Sequence, residues 1–133
     1  MTEAGGHGDL LVNTVGPYCG TLVCGRQGPL WGFEISATAA WRLSFVTWDD
    51  LPGWSGVAQG TYPDVLKLPE PAHDLVRASI TYRGDGHLAV RAHGATQRVL
   101  LNHVGPYRGQ VRIPPGTQYV TVETIGAWKA SLD

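Results

Sequence analysis

Residues 47–64 read TWDDLPGWSGVAQGTYPD and gather the residues best suited to chemistry on a ligand. Trp48, Trp54 and Tyr62 stand close in sequence to Asp49, Asp50 and Asp64. Aromatic plates beside carboxylates suit the C–H faces and hydroxyls of a sugar. These six are the candidate ligand-binding residues. The competing reading is structural: both indoles cap open ends of a β-sandwich, or seal the junction between two halves. Three acids around a Gly-rich loop also make a calcium site conceivable. No ligand motif commits to a metal, and no cofactor is expected.

Other chemistry finds little footing. There is no Gly-rich phosphate loop before a helix and no H-E-x-x-H. GWSGV fails the G-x-S-x-G pattern, and no strand–turn–helix surrounds it. RGD occurs at Arg83–Asp85, but Asp-Gly is a favoured hairpin turn and sits between two alternating stretches. His87 and His93 fall on one face of one strand, roughly 20 Å apart, too far to share a metal. Cys19 and Cys24 lie on opposite faces if they share a strand, about 17 Å apart, so both are expected as free thiols. The chain is expected not to be an enzyme, with no catalytic residue.

The elements that must position these residues follow from composition and pattern. A hydrophobic content of 43% with 16% charged residues allows a buried core. Eighteen Gly and nine Pro without collagen periodicity indicate many turns and favour an all-β chain. The 133 residues suit a single β-sandwich domain spanning 1–133. The net charge of -1 and the lack of a basic stripe argue against nucleic acid as a partner. No apolar run is long enough to span a bilayer, so no membrane partner is expected. MTEAGGHGDLL has no positive n-region or apolar h-region. Cytoplasmic placement is the default expectation, with extracellular or particle-associated placement left open.

Two stretches repeat. VNTVGPYCG at 12–20 matches LNHVGPYRG at 101–109, and AAWRLS at 39–44 matches GAWKAS at 126–131. The copies run over 9–46 and 98–133, with 47–97 connecting them, a sign of duplication. Period-two stripes fill both. In the first, Tyr18, Gly20, Leu22 and Cys24 point one way, then Phe33, Ile35 and Ala37, then Trp41, Leu43 and Phe45. In the second, Tyr107, Gly109, Val111 and Ile113 are followed by Val120 and Val122, then by Trp128, Ala130 and Leu132. Tyr18, Trp41, Tyr107 and Trp128 are the expected structural core residues, the two Trp plugging it from matched places. Strands at 10–15 and 99–104 are apolar on both faces and are expected to be central and covered.

Between the copies, Val65–Leu68 reads as a short strand. Val76, Ala78, Ile80 and Tyr82 mark another, and GDG then turns the chain. Leu88, Val90 and Ala92 face a core, with His87, Arg91 and His93 outward. About ten strands result, enough for two facing sheets of a jelly-roll-like antiparallel β-sandwich. The two copies are expected to share its core with pseudo-twofold symmetry.

The segment from about Trp54 to Leu132 carries YPDVLKL, YRGDGHLAV, VLLNHVGPYRG and IGAWKASL. It resembles small bacterial β-sandwich modules with a GDDVVKL-like strand, a G-x-G hairpin, LLVN-x-x-G-x-Y-x-G and a closing G-x-W. The first half matches only the later motifs, lacks the opening hairpin, and has AAW in place of the Gly-containing approach to Trp. The resemblance implies a sandwich with an accessory or binding role, and no catalytic residue.

The expected function is therefore a non-catalytic recognition module for a glycan or a protein surface. The alternative is a structural or assembly subunit acting through self-association, as a homo-oligomer, or through a larger partner. The uncharged outward stripe Cys19, Thr21 and Val23 favours assembly; the Trp-rich loop favours a ligand.

Overall fold

A computed structural model describes residues 18–22, 35–51 and 53–133. Eight strands run through the described residues: β1 (Val57–Gly60), β2 (Asp64–Lys67), β3 (Val76–Tyr82), β4 (His87–His93), β5 (Gln97–Val104), β6 (Tyr107–Ile113), β7 (Tyr119–Glu123) and β8 (Trp128–Leu132). They form two antiparallel four-stranded sheets, ordered β1-β8-β3-β6 and β2-β7-β4-β5. No described residue is helical. β4 and β5 pair within one sheet, whereas every other strand-to-strand connection crosses from one sheet to the other.

Alternation along the strands explains the packing. Ala78, Ile80 and Tyr82 on β3, Val111 and Ile113 on β6, and Trp128 and Ala130 on β8 are buried. They meet Leu66, Leu88, Val90, Val120 and Val122 from the other sheet in one cluster. Each large apolar side chain buried this way contributes roughly 1.5–3 kcal/mol. The inner faces of both sheets therefore close on a common core, a sandwich-like arrangement.

The crossings need special backbone. Gly105 has φ +89°, a left-handed conformation that only glycine adopts without strain, and its N–H donates to the Gly86 carbonyl at 2.9 Å. Pro106 follows and fixes its own φ. At the β7–β8 crossing, Gly126 has φ +138° and its N–H donates to the Thr61 carbonyl at 2.9 Å. The buried Tyr82 ring lies against Gly126, and its hydroxyl donates to the Ile125 carbonyl at 3.2 Å.

Several expectations change. Eight strands are found among the described residues, not about ten, and all of them lie in 57–132. The core cluster runs from Trp54 to Leu132, without a residue of the first copy among those described. Trp41 is 60% exposed and plugs nothing, and Leu43 and Phe45 of the same stripe are exposed too. Residues 18–22 carry no strand, and Leu22 is exposed where it was expected inside. Residues 99–104 belong to β5, which stands last in its sheet among the described strands and has exposed side chains on both faces, where it was expected to be covered. Arg83–Asp85 joins β3 and β4 across the sandwich, so its Asp-Gly is not a two-residue hairpin turn. The expected strand at 10–15, Val23, Cys24 and Phe33 lie outside the described residues.

Tyr107 packs against the core from its margin and Trp128 is buried, while Tyr18 is half-buried.

Candidate functional site

The loop's six candidates do not meet in one place. Trp54 belongs to the core: its N–H donates to the Lys67 carbonyl at 2.6 Å, and Gly53 bridges Lys67 in parallel. That anchor swings the indole into the sandwich, where it is 3% exposed. Its assignment to a ligand surface is thus corrected, and the capping reading holds for this ring. Its Nε1 is buried without an acceptor among the described residues.

Trp48 does reach the surface. Leu51 and Asp50 donate backbone N–H groups to the Thr47 carbonyl at 3.1 Å, and the Thr47 hydroxyl donates to Asp50 Oδ2 at 3.0 Å. This tight turn holds Trp48 beside β2, where Lys67 Nζ donates to the Trp48 carbonyl at 2.8 Å. The same ammonium lies 5.1 Å from the indole centroid, within cation–π range. Asp50 is therefore a turn-former, and Asp49 is exposed.

Tyr62 and Asp64 sit at the other end of β2. The Tyr62 carbonyl accepts from Trp128 Nε1 at 2.9 Å, and its ring meets Tyr18 edge-on at 5.4 Å. Burial pushes the Tyr18 hydroxyl above its ordinary pKa, and nearby Cys19 adds to the shift. Asp64 Oδ1 accepts from the Val65 N–H at 2.8 Å. Among the described residues no group of three His, Cys, Asp or Glu is placed to hold a metal ion. Cys19 is a free, exposed thiol.

Around Trp48 the outer face of β2-β7-β4-β5 carries partners that sequence reasoning passed over. Trp48 meets the Tyr119 ring edge-on at 5.4 Å, and Tyr119 stacks on His93 at 4.5 Å with 7° between planes. His93 Nε2 and Thr121 Oγ1 are 2.9 Å apart. His93 was expected outward and exposed; it points outward but is 5% exposed, because this stack covers it. Thr121 is buried with it. Farther along the same face, Arg91 pairs with Glu123, and His87 with Asn102. Period two identifies this face but not what lies on it.

The 41–48 segment differs from everything around it. Trp41, Leu43, Phe45, Val46 and Trp48 are all exposed, Phe45 at 71%. None belongs to a strand. No protein family, curated protein or solved structure matches the chain.

Proposed function

We propose that the protein is a non-catalytic recognition module that engages a protein surface through the apolar segment 41–48. The observation that carries this reading is the run of five exposed large apolar side chains beside a core already filled by Trp54 and Trp128. Contiguous apolar surface of this kind marks interaction sites in soluble domains. The burial of Trp54 removes half of the indole pair a sugar platform needed, so a protein surface is favoured over a neutral glycan. The same surface serves the second reading, self-association, in which the partner is another copy of the chain.

The fold proposed for this role is a jelly roll. Its support is the strand order, in which β1, β8, β3, β6 of one sheet are matched by their chain neighbours β2, β7, β4, β5 in the other. Kinship with the bacterial sandwich modules draws support from the same place, since all eight strands lie in the span that carries their motifs.

The test is light scattering over a concentration series, on the wild type and on a Trp41→Asp/Phe45→Asp variant, with thermal melts of both. Self-association expects assembly that strengthens with concentration and is lost in a variant that melts as the wild type does, whereas docking to another protein expects both chains to stay monomeric and to melt alike. A wild type that stays monomeric, with a variant that loses thermal stability, would mean the segment packs on its own chain, and the reading fails.

A further inference from the structure

The register of β1-β8-β3-β6 fixes what that sheet shows to solvent. Gln59, Lys129, Thr81 and Arg108 lie side by side across the four strands. Val57, Ser131, Ser79 and Gln110 form the next row, and Arg77 stands directly opposite Arg112 beyond it. Inward alternation of Ala78, Ile80, Val111, Ile113 and Ala130 sets all of these outward.

Four of the chain's ten Lys and Arg residues thus share one sheet face in a molecule of net charge -1. The acid found among them is Asp133, which accepts from Ser79 Oγ at 3.2 Å and from Gln110 Nε2 at 3.0 Å. Among the described residues the ion pair present is Arg91–Glu123, on the other sheet, so none of these four cations is in an ion pair. Folding gains nothing from the arrangement, because like charges directly opposite on neighbouring strands destabilise a sheet. Between the cations lies a depression of about 350 Å³ lined by Ser79, Thr81, Arg108, Gln110, Lys129 and Ser131.

We propose that this face binds an extended acidic polysaccharide. Arg77, Arg108, Arg112 and Lys129 pair with its carboxylates or sulfates, and Thr81 takes its hydroxyls, while Ser79 and Gln110 stay hydrogen-bonded to Asp133. Neighbouring strands are ~4.8 Å apart, so Lys129 and Arg108 flank Thr81 across roughly 10 Å, a span for successive charges on a chain laid across the strands. Among the described residues the face carries no aromatic side chain on which bases would stack, which disfavours single-stranded nucleic acid. Val57 is the one large apolar side chain that the described residues place on it, too little to enter a lipid surface. The site lies on the sheet opposite to the Trp48 cluster and stands or falls apart from the protein-docking reading.

The experiment is calorimetric titration of the full chain with heparin and polygalacturonate. Dextran, a DNA duplex and phosphatidylserine vesicles are run alongside. At least one acidic polysaccharide is expected to bind, more weakly as salt rises, and dextran is not. In Arg108→Gln/Lys129→Gln the affinity should fall roughly tenfold, the combined loss of two exposed charge contacts. A charge-matched control, Arg91→Gln/Arg98→Gln, lies on β4 and β5 of the other sheet and should bind as the wild type does. The proposal is overturned if neither acidic polysaccharide binds at low salt, if the two variants bind alike, or if the duplex or the vesicles bind more tightly than both polysaccharides.

Discussion

The same words occur twice in this chain and meet different ends. In the second copy, Trp128 opens β8, which pairs with β1 on one side and β3 on the other. Its indole is 3% exposed, its Nε1 has the Tyr62 carbonyl, and Gly60 opposite leaves room for the ring. In the first copy, Trp41 lies in a segment with no strand and is 60% exposed. Yet the local packing of the motif is alike in both. A Cβ on Gly20 would stand 2.5 Å from the Tyr18 hydroxyl, and one on Gly109 would stand 2.6 Å from that of Tyr107. A Tyr-x-Gly unit sets its own short-range geometry. Burial depends on neighbouring strands, which the second copy receives from β1, β2, β3 and β4 and the described part of the first copy does not.

Substitution at the two Trp positions should break the likeness most sharply. Trp128→Ala is expected to cost ~3–5 kcal/mol, as large core truncations do, while Trp41→Ala stays within about 0.5 kcal/mol, as surface changes do. Chemical denaturation of both variants measures the difference. Equal losses would place Trp41 in a core after all.

The glycines give a smaller contrast. Gly109→Ala drives a methyl against Tyr107, which is packed on the core and cannot swing away, and overpacking of this kind costs about 1–3 kcal/mol. Gly20→Ala meets Tyr18 and Pro63 outside the core cluster and should cost less. Melting temperatures of the pair decide whether the two units are held equally.

The smallest effect is electrostatic. Burial holds the Tyr18 hydroxyl protonated to higher pH than in the unfolded chain, with Cys19 adding to the shift. Its contribution is complete below the unfolded tyrosine value and is lost as pH rises through the folded value, because the unfolded chain gives up its proton first. Tyr18→Phe should therefore flatten the alkaline limb of the stability curve slightly and leave neutral pH unchanged. An identical alkaline limb in wild type and variant would show that the hydroxyl is solvated.

Much of the second half was legible in advance. Alternation at Val76–Tyr82 and His87–His93 marked two strands, and the inward stripes of β6, β7 and β8 match the buried residues. What periodicity does not carry is the covering of a face. His93 and Thr121 sit on an outward stripe and are buried by the Trp48–Tyr119 stack, a contact between residues 71 positions apart. β5 reads as apolar on both faces, which suits a covered central strand, but among the described strands it stands last in its sheet. Trp48 and Trp54 look equivalent in the loop; a backbone bond to Lys67 sends one inside, and a turn at Thr47 keeps the other out. The cationic face was invisible because its members come from three strands, and overall charge conceals how it is distributed.

The central claim is that the core closes on itself within residues 54–132. A chain shortened to residues 53–133 tests it directly, since a unit of about 80 residues exceeds the size at which many domains fold alone. Circular dichroism with thermal and urea melts should show β structure lost in a single cooperative transition. A shortened chain without a cooperative transition would contradict the account and would mean that the first copy of the motif builds the core alongside the second.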